Sequence, residues 1–132
     1  MKTKEIPKKE WPKFFDNFSS KHKDWLVTLE IFGNELGAQV QEREMALVGI
    51  VDERDEIHGD RIVIMFGGKL DNHITHSIGR PIQVSLEHTE GGADVALAIK
   101  SADGVMALLR FLSPMFPEMV DGLVAQQSRP LV

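Results

Sequence analysis

The residues with the greatest chemical capacity gather in Asp71-Asn72-His73-Ile74-Thr75-His76. A His-x-x-His pair beside a carboxylate can bind zinc when both imidazoles converge. Three-residue spacing brings side chains together on a helix but sends them to opposite faces of a strand. Ile74, His76 and Ile78 alternate with His73, Thr75 and Ser77, so the stretch reads as a strand. A metal site from Asp71, His73 and His76 therefore needs a loop conformation, or help from His88 or His58. The competing expectation makes His76 and His88 half-buried polar groups bonded within a sheet. On that expectation the chain carries no metal ion, cofactor or catalytic residue. If strands 74–78 and 82–88 pair around the Gly79 turn, His73 and His88 lie opposite one another in a pH-sensitive contact.

Other constellations fall short on residue type. Phe66-Gly67-Gly68-Lys69-Leu70 contains a Gly-Lys pair, but Val63 stands where a phosphate loop needs its upstream glycine. Leu70 replaces the hydroxyl that would reach magnesium. Neither a Gly-x-Gly-x-x-Gly nor a Gly-x-Ser-x-Gly run occurs. Asp52, Glu53, Asp55, Glu56 and Asp60 lack the order of a calcium loop and suit a charged hairpin tip. With no cysteine, disulfides, thiolate metal sites and cysteine nucleophiles are excluded.

The elements that must position these residues follow from charge and periodicity. The 132 residues carry a formal net charge of −5 and are 42% hydrophobic, the balance of a globular chain. Residues 1–23 hold seven lysines against Glu5, Glu10 and Asp16, a net +4, which leaves −9 on the remainder. A basic segment docked on its own acidic body accounts for this. Contact with nucleic acid is disfavoured, because the body repels a polyanion and the segment contains no arginine. No apolar run approaches the roughly 18 residues of a membrane span, and residues 1–7 contain no apolar signal core. A cytoplasmic location without membrane attachment is expected.

Trp11, Phe14, Phe15 and Phe18 fall at i, i+3, i+4 and i+7, one face of a helix that begins near Trp11. Ser19 through Lys23 read as its fraying end. From Trp25 the period becomes two: Trp25, Val27, Leu29 and Ile31 share a strand face, and a turn between Gly33 and Gly37 leads into the next strand. Gln41-Glu42-Arg43-Glu44 interrupts that strand and predicts a bulge. Residues 52–60 read as a charged loop, followed by an apolar strand over 61–66. Ile82, Val84 and Leu86 point inward from a later strand. Val95, Leu97 and Ile99 oppose Ala96 and Ala98, small residues over which the aromatic helix is expected to lie. Ala102-Asp103-Gly104 turns the chain into Val105–Leu112. Pro117 with Met119, Val120, Leu123 and Val124 suggests a short C-terminal helix.

The fold class is thus α+β in one domain over 1–132. A basic helical segment (1–23) packs on a β-rich body (24–112) of six to seven mostly antiparallel strands, and a tail (113–132) carries the short helix. The sheet is bent and forms either a small SH3- or Sm-like barrel plugged by the helix or a flatter meander.

Several segments resemble one bacterial family catalogued as a domain of unknown function, number 5335. They include Glu10-Trp11-Pro12-x-Phe14-Phe15-Asp16-x-Phe18-Ser19, Trp25-Leu26-Val27-Thr28-Leu29-Glu30 and Gly37-Ala38-Gln39-Val40. His73-x-Thr75-His76-x-Ile78, Gly92-Ala93-Asp94 and Ser101-Ala102-Asp103-Gly104…Leu108-Leu109-Arg110-Phe111 follow the same pattern. The resemblance runs from about residue 4 to residue 112. It implies a bacterial cytosolic protein and brings no catalytic residues, ligand or activity.

Three functions are expected, in descending order. The first is a non-enzymatic binding or assembly module, a homo-oligomer or the receptor of a protein partner, using a Val105–Leu112 strand apolar on both faces. The second is a metal- or small-ligand-binding enzyme using Asp71, His73 and His76. The third is a weak nucleic-acid module led by the lysine-rich helix.

Overall fold

A computed structural model of the chain describes residues 1–33, 37–57, 59–67 and 73–115. The aromatic stripe forms the helix α1 (Trp11–His22), entered through a single 3-10 turn at Lys8–Glu10. Pro12 sits in its first turn, where a missing N–H costs nothing. Trp11, Phe15 and Phe18 are buried and Phe14 partly so. The stripe continues one turn further, to the buried His22.

Eight strands follow one another in a single antiparallel sheet: β1 (Lys2–Ile6), β2 (Leu26–Gly33), β3 (Gly37–Asp55), β4 (Gly59–Gly67), β5 (His73–Gly79), β6 (Pro81–His88), β7 (Asp94–Ser101) and β8 (Met106–Met115). Their spatial order is β1-β6-β7-β8-β2-β3-β4-β5. The sheet is open, with β1 and β5 at its two edges, rather than a closed barrel. The strand beyond the expected six or seven is β1. Its Lys-Thr-Lys-Glu-Ile sequence has no apolar alternation, and it becomes a strand by pairing with β6, Ile6 opposite Val84. Residues 2–6 therefore separate from the helical segment with which they were grouped.

The 19-residue β3 is the spine of the sheet. Its first part pairs with β2 and its second with β4, and Ala46 lies in register with both Leu26 and Gly67. The expected bulge is present: Val27 faces Met45 but Leu29 faces Glu42, and Glu44 adopts φ +55°. A second irregularity, between Leu47 and Gly49, leaves Val48 exposed. The strand continues through Asp55, so the charged hairpin tip is shorter than residues 52–60. Asp52 is not at the tip. Its side chain is 1% exposed, and one carboxylate oxygen takes Arg54 Nε and Nη2 at 3.3 and 3.2 Å.

Beyond Ala46 the flank of β3 vacated by β2 is covered by α1 and the chain that leaves it. Leu47 N–H donates to Trp25 O at 2.9 Å, and Asp24 N–H donates to Leu47 O at 2.7 Å. Ser19 Oγ receives the Ile50 N–H at 2.9 Å and donates to Ile50 O at 3.2 Å. Ser19 and His22 are thus anchoring residues inside the helix, not a fraying end. The helix lies against β3, and its last turn also meets β7 and β8 through Asp94 and Phe111. It does not simply cover Ala96 and Ala98.

Two side-chain directions differ from simple alternation. Pro81 faces Ser101 but Gln83 faces Lys100, and this bulge turns Ile82 outward to 56% exposure. On β8, Arg110 breaks the outer face by reaching Glu30 on β2, and Leu108 is buried. That face of the strand keeps the half-buried Met106 and the exposed Leu112, and Leu26 is exposed on β2. The expected C-terminal helix over 117–124 lies outside the described residues.

Candidate functional site

Of the four sequence candidates for a metal site, the three that are described, His73, His76 and His88, do not come together. Asp71 lies outside the described residues, as does His58. His73 and His76 occupy β5 three residues apart, on opposite faces of a strand that pairs with β4. His73 is in register with Gly67 and His76 with Ile64, and the His76 ring meets Phe66 edge-on at 6.0 Å. His88 is on β6, near the other edge of the sheet. The contact expected between His73 and His88 is not formed, because β5 and β6 do not form a hairpin. The chain crosses from one to the other through Arg80, whose φ is +49°. Its N–H donates to Asp60 O at 3.0 Å and its carbonyl accepts from Ala102 N–H at 2.9 Å. Among the described residues no group of three or more His, Asp or Glu side chains gathers to hold a metal ion.

What the crossing builds is a groove of about 400 Å³ beside β5. Ile31, Ile78 and Val105 give it apolar walls, and His76, Arg80, Ser101 and Asp103 supply polar groups. The Ser101 hydroxyl bonds Asp103 Oδ1, which also accepts the Val105 N–H at 3.3 Å. The Ser101 bond, then the Val105 N–H, with a smaller share from Arg80 at 3.9 Å, holds the Asp103 carboxyl below the usual carboxylate range. Ser101 thereby serves the turn into β8 as a donor, an arrangement that orders a loop rather than activating a nucleophile. The groove presents shape and hydrogen-bonding groups.

Beside the groove runs β5, the last strand in the order of the sheet among the described residues. From His73 to Gly79 it carries no Lys, Arg, Asp or Glu. The opposite edge, β1, presents the exposed Lys2 and Lys4, a usual protection against edge-to-edge pairing.

A second polar feature was missed by sequence reasoning. His22 Nε2 lies 2.8 Å from Asp94 Oδ2, and Nδ1 lies 2.8 Å from Phe18 O. The ring stacks on Phe18 at 4.1 Å and on Phe111 at 5.0 Å, with Trp25 edge-on at 4.4 Å. Asp94 is placed by the preceding loop, in which Thr89 and Ala93 exchange backbone and side-chain bonds. The sequence offered one signal: His22 follows Phe18 by four residues, on the apolar stripe of the helix.

Among the described residues no helix is long and apolar enough to cross a membrane. No solved structure matches the chain. It is similar to an uncharacterized protein of the bacterium Aquifex aeolicus (strain VF5), 31% identical over 118 residues, which covers 89% of this chain and 97% of the relative. The model of the family of unknown function DUF5335 matches residues 2–119, reaching beyond the segment that carries the resemblance, which ends at residue 112. The chain belongs to that family.

Proposed function

We propose that this protein is a non-enzymatic assembly module that pairs with a second copy of itself along the open edge of β5. The observation that carries the reading is the uncharged sequence of that edge, set against the lysine-protected edge at β1. Antiparallel self-pairing of two β5 strands is isologous, as a two-fold interface requires. It sets Ile74 opposite the partner's Ile78 and Thr75 opposite the partner's Ser77. Apolar and hydroxyl pairs of this kind stabilise neighbouring strands, and no like-charged acid or base pair opposes them. The adjoining groove and the outward corner at Arg80 leave side-chain surface for the partner beyond the strand itself.

Light scattering over a range of concentrations tests this. The expected result is a monomer–dimer equilibrium abolished in the double variant Thr75→Lys/Ser77→Lys, which adds like charges on both strands of the interface. A strict monomer at high concentration, or a dimer indifferent to those lysines, overturns it. One tightly held metal ion per chain in elemental analysis would favour a metal-dependent activity instead.

A further inference from the structure

We infer that His22 is held in the folded protein as a doubly protonated imidazolium, and that its contact with Asp94 is a pH-released latch fastening α1 to the sheet. The argument is one of donors and acceptors. Nδ1 faces the Phe18 carbonyl oxygen and Nε2 faces an Asp94 carboxylate oxygen, each at 2.8 Å. A carbonyl only accepts, so Nδ1 is a donor, and an ionised carboxylate only accepts, so Nε2 is a donor too. With Asp94 ionised, a neutral imidazole has one N–H and would set acceptor against acceptor where His22 is 1% exposed and Asp94 5%. The ring packs beside Phe18 and Phe111, 28° and 6° from parallel, and the two phenyls also stack on each other at 5.8 Å. Phenyl faces carry negative potential, an environment that favours a cation over a neutral ring.

The charged and titratable surroundings are few. From β7, Asp94 meets the ring directly. His88 on β6 is in register with Asp94, and its Nδ1–H donates to Thr89 O at 3.0 Å. Lys2 on β1 is in register with His88. On the helix side Lys21, and after it Lys23 and Asp24, are exposed. From β8 the ring meets Phe111.

Proton loss to solvent at alkaline pH removes one donor and the charge that attracts Asp94. The last turn of α1 is then held by Ser19 and its apolar contacts alone. Its release would uncover the flank of β3 from Leu47 to Ile50.

Nitrogen-15 spectra of the unaltered protein test the protonation without any substitution. Hydrogens on both His22 nitrogens at neutral pH are expected, and one bare nitrogen overturns the inference. Denaturant titrations test the linkage. Above the range where an exposed histidine titrates, the unfolding constant is expected to rise about tenfold per pH unit, the signature of one proton. Asp94→Asn should lose that slope. A wild-type profile without it, or the same slope in Asp94→Asn, refutes the latch. Hydrogen exchange then locates the opening. The Leu47 and Ile50 amides should lose protection before Leu97 as pH rises, and simultaneous loss at all three would show that no latch opens.

Discussion

Ser19 provides a direct measure of how the helix is attached. Its hydroxyl bonds both the N–H and the C=O of Ile50, filling the backbone positions that a neighbouring strand would otherwise occupy. Ser19→Ala leaves a donor and an acceptor of β3 unpaired in a part-buried position. Each hydrogen bond contributes about 1 kcal/mol net, and a stranded buried group costs about 1–3 kcal/mol. Alanine returns about 0.5 kcal/mol through its higher helix propensity. The net loss is therefore about 1–2.5 kcal/mol, or about 4–9 °C in the thermal midpoint of a domain this size. Urea unfolding measures it, with Ser20→Ala as control, since Ser20 is exposed on the same turn. The Ile50 amide should also lose hydrogen-exchange protection selectively. If Ser19→Ala and Ser20→Ala unfold together, the helix is not fastened to β3 through this hydroxyl and the account of the covered flank fails.

Phe15→Ala removes a ring that is 1% exposed and should cost about 3–5 kcal/mol in chemical denaturation. Asp94→Ala leaves the His22 cation without its carboxylate in a buried site, and a loss of about 3–5 kcal/mol is expected by the same assay. Asp103 titrates below an ordinary carboxylate, so the stability it contributes is present above the unfolded carboxyl range and is lost as pH falls through the folded value. Ser101→Ala should move that titration upward, as followed by carboxyl carbon resonances. Deleting residues 1–25 removes β1, α1 and the cover of β3, and the product should be insoluble. A soluble, folded remainder would contradict the packing described here.

Much of this architecture was legible because local pattern and tertiary role agree. The stripe from Trp11 to Phe18 specified α1, and the interrupted alternation at 41–44 specified the bulge in β3. Strand β1 was not legible, because its lysines suit an edge exposed to solvent and its extended state is imposed by β6. The crossing at Arg80 was misread as a hairpin, since Gly-Arg-Pro marks a change of direction without saying which strand comes next. Ile82 failed for a related reason: one bulge reverses the face on which a side chain emerges. The buried histidine escaped notice because its sequence neighbours, Lys21 and Lys23, describe a solvated surface, while its partner Asp94 is 72 residues away.

The shared membership of β3 has a mechanical consequence. Because one uninterrupted run of backbone belongs first to the β2 side and then to the β4 side, neither half can come apart without pulling on the other. Damage near Ala46 would be felt across the whole sheet, whereas damage at either margin would remain local. Such a sheet yields from its borders inward, its middle holding longest.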